Sequence, residues 1–138
     1  MLTGIGIDII EIDRIRRAIE RWPGFTERLF SEGERSYCDR HSDPAARYAA
    51  RFCAKEAVAK ALGRALRWRD VEVTLDPSGR PRIGLSGKAA VYANISEGGS
   101  VLVSLSHSRD YAVASVALVF GEPTDDPAEN LSPRGVWT

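Results

Sequence analysis

Three observations predict an α+β fold for this 138-residue chain. Apolar residues alternate at period two near both ends of the sequence. A long alanine-rich stretch in the middle carries helical periodicity, and turn residues cut the remainder into hairpin-sized pieces. The expected architecture is a single domain in which a long central helix packs on antiparallel strands and hairpins.

Residues 2–10 alternate, with Ile5, Ile7 and Ile9 on one face and Gly4, Gly6 and Asp8 on the other, a strand pattern. From about Glu11 the period lengthens. Ile12, Ile15, Ile19 and Trp22 recur at helical spacing until Pro23-Gly24 stops the helix, and Arg14, Arg17 and Arg21 line its outer side. Ser31 and Glu34 have the spacing of a capping box and open a short helix. Asp43-Pro44 supplies an N-cap and a first-turn proline for a long helix to about Leu62, with Gly63 as its stop.

Beyond that helix, residues 71–75 and 82–85 alternate around Asp76-Pro77-Ser78-Gly79 and predict a hairpin. Ser86 caps a helix expected to reach about Ile95. Residues 101–106 and 111–120 read as two final strands joined by a turn at 107–110. After Gly121 the composition shifts to Pro, Asp, Glu and Ser. The expected organisation is one domain over residues 1–120 and a flexible tail over 121–138.

Lys and Arg together number 19, as do Asp and Glu, so no global field recruits nucleic acid or a membrane surface. Cys38 and Cys53 form no Cys-x-x-Cys or Cys/His metal spacing, and a reducing cytoplasm is the expected compartment. No apolar run approaches the ~20 residues of a membrane span.

Three segments could carry chemistry. In the first, Gly4 and Gly6 precede Asp8 on one strand face, leaving room for something bulky beside a carboxylate that could ligate a hard cation. The plainer alternative is a strand flattened by glycines, with Asp8 starting the turn into the helix. In the second, Ala54, Val58, Ala61 and Leu62 form the apolar stripe of the long helix, and Glu56 and Lys60 lie roughly opposite, beside Phe52. Together they could bind a metal and a phosphate, or form only a solvated ion pair. Arg51 and Lys55 project toward the stripe's edge, where a charge needs a partner, so an anion is expected nearby. In the third, Ser106 and His107 sit where a strand meets a turn, a common place for binding groups. Adjacent Ser and His rarely serve as nucleophile and base, and no Gly-x-Ser-x-Gly elbow occurs, so a hydrolase is set aside. His41 lies in a polar loop with no assigned role.

Taken in order, the three segments resemble the holo-acyl-carrier-protein synthase family of phosphopantetheinyl transferases over roughly residues 1–120. Gly4-Ile-Gly-Ile-Asp8 is similar to the family's opening strand. Arg51-Phe-Cys-Ala-Lys-Glu-Ala-Val-Ala-Lys-Ala61 is similar to its Arg-Phe-x-x-Lys-Glu-x-x-x-Lys-Ala helix, and Ser104-Leu-Ser-His107 to its Ser-x-Ser-His strand end. The resemblance implies a 4'-phosphopantetheinyl transferase-like fold and an enzyme of fatty acid biosynthesis. It would move 4'-phosphopantetheine from coenzyme A to a serine of apo acyl carrier protein and release 3',5'-ADP.

The resemblance further implies that Asp8 and Glu56 hold Mg²⁺. Lys60 would act with them, and Arg51, Lys60, Pro81, Ser106 and His107 would contact coenzyme A. It also implies a homotrimer with active sites between subunits. The serine's proton would pass to Glu56 or to water on the metal. Arg14, Arg17 and Arg21 would dock the acidic carrier, or else form an ordinary solvated face. Family members usually carry a longer glycine-containing loop after the central helix. Here only residues 63–67 intervene before Trp68, and Arg64 or Arg67 stands where loop contacts would be replaced. Two rivals remain at this stage. One is a specialised transferase for polyketide- or peptide-synthase carriers; the other is a non-catalytic coenzyme A-binding module.

Overall fold

A computed structural model describes residues 1–121, so the expected tail lies, beyond Gly121, outside the described residues. Strand β1 (Leu2–Glu11) runs into helix α1 (Ile12–Arg21) without a loop. Pro23-Gly24 ends α1 as expected, but the chain at once re-forms a short helix, α2 (Phe25–Leu29). Helix α3 (Glu32–Asp39) opens with the capping box: Ser31 Oγ accepts from Glu34 N at 3.1 Å, and Glu34 Oε1 accepts from Ser31 N at 2.9 Å.

The long helix α4 (Pro44–Leu62) begins at the proline and ends at Gly63, whose φ of 66° is the left-handed conformation that favours glycine. Asp43 holds the N-cap position, yet its carboxylate does not cap. It accepts instead from Arg16 Nη2 at 3.1 and 3.2 Å, tying α4's start to α1. A 3₁₀ turn (Trp68–Asp70) then leads into the hairpin β2 (Val71–Leu75) and β3 (Pro81–Leu85). Helix α5 (Gly87–Tyr92) is shorter than expected. Asn94 takes φ 54°, the helical hydrogen bonding breaks, and a separate 3₁₀ turn covers Ile95–Glu97. Strands β4 (Gly99–His107) and β5 (Tyr111–Phe120) close the fold.

The strands β1, β5 and β4 form one antiparallel sheet in that order; β2 and β3 form a separate one. Helix α4 covers one face of the larger sheet. Ala49, Cys53, Ala54, Ala57 and Val58 are fully buried, and so are Ala112 and Ala114 of β5. The approach is unusually close. A Cβ added at Gly6 would lie 2.0 Å from Ala57 O, and one added at Gly4 would lie 2.6 Å from Ala61 O. The room beside Asp8 that the glycines were expected to leave for a bulky group is therefore filled by the backbone of α4.

The opposite sheet face is bare. Ile5, Ile7 and Ile9 are 71, 63 and 64% exposed, although they are the most regular apolar series in the sequence. The core under the far end of the sheet is completed by Ile12, Ile15, Phe30 and Tyr48, with the Phe30 and Tyr48 rings 4.9 Å apart.

Candidate active site

Two glycine-permitted contacts set the position of Asp8. Because β1 lies directly on α4, the third residue of the Gly4, Gly6, Asp8 face meets the helix one turn below Ala57. There Lys60 Nζ donates to Asp8 Oδ1 and to Ile7 O, both at 3.0 Å. Glu56, one turn before Lys60, faces the same carboxylate. Burial raises the proton affinity of Glu56 first; the charge of Asp8 raises it further, and Lys60 opposes both. The helical pair expected between Glu56 and Lys60 is thus a three-membered group in which the lysine's ion-pair partner is Asp8.

Cys53 lies on the buried side of this group, and its thiol donates to Ala112 O at 3.5 Å. Burial, with the charge of Asp8 next, pushes its pKa up to about 12, so it stays a thiol and offers neither nucleophile nor metal ligand. Among the described residues, no group of three or more His, Cys, Asp or Glu is arranged to hold a metal ion. The donor set is two carboxylates.

Glu56 also stands at the edge of a cleft of about 220 Å³ between α4 and the segment that follows it. Its walls include Lys55 and Ala59 from α4, Ala65, Leu66 and Arg67 from the connecting segment, and Trp68 and Val71. Trp68 stacks on Phe52 with ring centroids 5.2 Å apart, which holds the wall against the helix. The short segment after α4 is therefore itself a cleft wall. Of its two arginines Arg67 lines the cleft, while Arg64 turns away to the Tyr92 ring, 4.2 Å from its centroid.

The other expected residues lie elsewhere. Arg51 is buried, its guanidinium 4.3 Å from the centroid of Tyr37, and its Nε has no hydrogen-bond partner. Pro81 opens β3 opposite Leu75, on the hairpin rather than on the strand–helix pair that carries Asp8, Glu56 and Lys60. Ser106 and His107 end β4, paired with Val113 and Ala112 of β5. Strand β4 is the sheet edge opposite β1, roughly 10 Å away at two strand spacings. Ser106 shares the bare face with Ile9, which pairs with the same Val113. Ser106 therefore faces away from Asp8 and Glu56, whereas His107, paired with the buried Ala112, is on the α4 side of the sheet. Arg14, Arg17 and Arg21 are exposed on α1; Arg17 pairs with Asp13 at 2.8 Å, and Arg21 lies over Trp22.

The sequence reading missed two parts of the site. Leu66 and Trp68 as cleft walls carry no local signal, since their role depends on how the segment folds back. Glu34 did leave a signal. Lys55 demanded an anion, and that anion is Glu34, 2.9 Å away, rather than a ligand.

A helix-backed antiparallel sheet here brings two carboxylates and a lysine together, with Glu56 at the edge of a cleft. Residues 4–116 match the family model described as the 4'-phosphopantetheinyl transferase superfamily, and the chain belongs to that superfamily. It is 49% identical over 117 residues to a holo-[acyl-carrier-protein] synthase from Moorella thermoacetica, covering 83% of this chain and 91% of that one. A holo-[acyl-carrier-protein] synthase from Koribacter versatilis is 43% identical, covering 86% of this chain and 98% of that one.

Among solved structures, a holo-(acyl-carrier-protein) synthase from Bacillus anthracis in complex with CoA (3',5'-ADP) superposes with a TM-score of 0.72 at 35% identity. The match covers 86% of this chain and 96% of that one. The Helicobacter pylori synthase in complex with coenzyme A gives 0.73 at 32% identity, over 83% and 99% of the two chains. The α+β fold expected from the sequence is the fold of these enzymes.

Proposed function

We propose that this chain is a holo-[acyl-carrier-protein] synthase that transfers 4'-phosphopantetheine from coenzyme A to a serine of apo acyl carrier protein. The observation that carries the reading is the Asp8, Glu56 and Lys60 group, whose Glu56 lines the cleft, in a chain that belongs to the transferase superfamily. The rival of a coenzyme A-binding module is the weaker one. Two carboxylates in each other's field destabilise an empty site, and a module that only binds has no use for them.

The residues present fit Mg²⁺. Asp8 and Glu56 offer hard oxygen donors whose mutual repulsion a cation relieves, and Mg²⁺ is typically held by one or two carboxylates together with substrate phosphates. Bound there, Mg²⁺ would neutralise charge on the diphosphate and so ease departure of 3',5'-ADP. Lys60, half exposed on a flexible stem, would turn from Asp8 toward a phosphate oxygen. The cleft walled by Leu66 and Trp68 would take the pantetheine arm, with Arg67 at its mouth. Glu56, or a water beside it, would accept the serine's proton. The carrier supplies the nucleophile, so the enzyme's task is positioning and charge compensation.

In this reading the enzyme is a homotrimer with sites shared between subunits. Support comes from the bare face of Ile5, Ile7 and Ile9, a contiguous apolar surface of the kind that marks an interface. Ser106 lies on that same face, where a neighbouring copy would meet it, and His107, the next residue of β4, would contact coenzyme A from the α4 side. Arg51, with its unpartnered Nε, is left as a further coenzyme A contact. Arg14, Arg17 and Arg21 would meet the acidic carrier. The setting is fatty acid biosynthesis in the cytoplasm; two buried free cysteines suit a reducing compartment.

The test is intact-mass analysis of apo acyl carrier protein incubated with the enzyme, coenzyme A and Mg²⁺. A phosphopantetheine mass gain is expected, lost with chelator and with Glu56→Ala. A folded, oligomeric sample inert toward several carriers would overturn the reading.

A further inference from the structure

Lys55 precedes Glu56 on α4 but points the other way, into the protein, where its side chain is 2% exposed. All three of its N–H donors are used. One goes to Glu34 Oε1 at 2.9 Å, one to Trp68 O at 3.0 Å, and one to Val71 O. Glu34 is equally committed. Its Oε1 also accepts from Ser31 N, closing the capping box of α3, and its Oε2 accepts from Val73 N at 3.0 Å in β2. One buried ion pair thus joins the start of α3, the middle of α4, the 3₁₀ turn and the first strand of the hairpin.

Two of these partners are cleft wall. Trp68 and Val71 line the cavity beside Glu56, and Lys55 itself forms part of its floor. At its other end the segment leaves α4 at Gly63, where Gly63 N and Arg64 N donate to Lys60 O and Ala59 O. Between these anchors Ala65 and Arg67 are exposed. The segment is thus a strap held at both ends, and its far end hangs on the ammonium of Lys55.

We infer that Lys55 and Glu34 are positioning residues that hold the wall formed by residues 65–71 at its working distance from Glu56, and thereby set the affinity for coenzyme A. The inference rests on the functional reading above, since it takes the cleft to be the coenzyme A site. Neither residue touches the reacting atoms. Lys55 acts through the carbonyls it grips, and Glu34 holds the charge that makes the grip stable in a desolvated place. A free basic group at this position would instead bind a phosphate directly, and the three occupied donors leave none for that.

The experiment uses the full chain with Lys55→Met. Removing one partner of a buried pair strands the other, so Glu34→Gln/Lys55→Met, which removes both charges, is the second variant if the first does not fold. Three quantities are read: KM for coenzyme A, KM for apo carrier, and amide hydrogen exchange over residues 65–71. KM for coenzyme A is expected to rise on the order of tenfold or more. KM for the carrier should stay within about twofold, while exchange over 65–71 quickens relative to the sheet.

Val116→Ala, a core truncation in β5 away from the strap, serves as the stability-matched control. If that control raises KM for coenzyme A equally, or if both variants keep wild-type exchange over 65–71, the inference fails. Should the wild-type enzyme prove inert toward every carrier, the functional reading falls by itself. Coenzyme A binding by calorimetry, weakened or unchanged in the two variants, then decides the strap separately.

Discussion

Gly6→Ala adds a single methyl group, and the structure states what that group would meet. Its Cβ would stand 2.0 Å from Ala57 O and 2.9 Å from Ala61 N, whereas real Cβ contacts essentially never fall below 3.0 Å. The obstacle is helix backbone on one side and a strand paired with β5 at Val116 on the other, so no flexible side chain can give way. Strand and helix must separate by about 1 Å. Overpacking of this kind costs roughly 1–3 kcal/mol.

The displacement has a second consequence, because Asp8 is two residues farther along the same strand face and Glu56 is the neighbour of Ala57. Moving the two elements apart moves the two carboxylates apart. A misplacement near 1 Å in a positioned site costs on the order of 10²-fold in rate. The assays are urea denaturation followed by circular dichroism, and transfer rate at saturating coenzyme A under conditions where the variant is fully folded. Gly84→Ala is the control; its Cβ would find nothing closer than Glu72 O at 3.9 Å, and stability should stay within about 0.5 kcal/mol. A Gly6→Ala protein with wild-type stability and wild-type rate would refute the claim that close packing of β1 on α4 builds the site.

Three further outcomes are expected. Burial, then Asp8, raises the pKa of Glu56, so the folded metal-free protein binds that proton more tightly than the unfolded chain. Its stability should therefore fall as pH rises from the ordinary carboxylate range, about 4.3, through the raised value. Glu56→Gln should flatten that fall, raise Tm at pH 7 and abolish transfer; a Tm equal to or below wild type would count against the strained pair. Arg14→Glu should raise KM for the carrier several-fold with KM for coenzyme A unchanged, and added salt should shrink the difference. Equal loss of both would rule out a docking role for α1. Ile7→Lys, on the bare sheet face, should leave the monomer folded but lower the mass seen by sedimentation and remove activity. An undiminished assembly would place the subunit contact elsewhere.

Local chemistry made much of this protein legible in its sequence. The capping box at Ser31 and Glu34, the proline-led start and glycine stop of α4, and the period-two strands all depend on residues within a few positions of each other, and all are present. For Asp8, Glu56 and Lys60 the period gave only the face each occupies and left a plain alternative open; the resemblance to the transferase family is what singled them out. What the sequence left open were matters of partner. The isoleucine face and the glycine face of β1 carry the same alternation. The apolar face is the one left bare, because only the glycine side lets a helix backbone come close enough to pack.

The same holds for Lys55 and Lys60, five residues apart on one helix. Periodicity marks both as cations. Only the folded chain decides that the first is spent on Glu34 and two carbonyls, while the second meets Asp8 at the surface. Ser106 and His107 sit where β4 meets the turn, with His107 as the last strand residue rather than the first of the turn, yet two strand spacings and the opposite sheet face separate Ser106 from the carboxylates. The sequence by itself determined the elements and the chemical groups, because hydrophobic period and capping act over short range. Tertiary structure decided which groups meet, because contacts between residues far apart in the chain depend on the packing of whole elements, where one missing Cβ sets the distance.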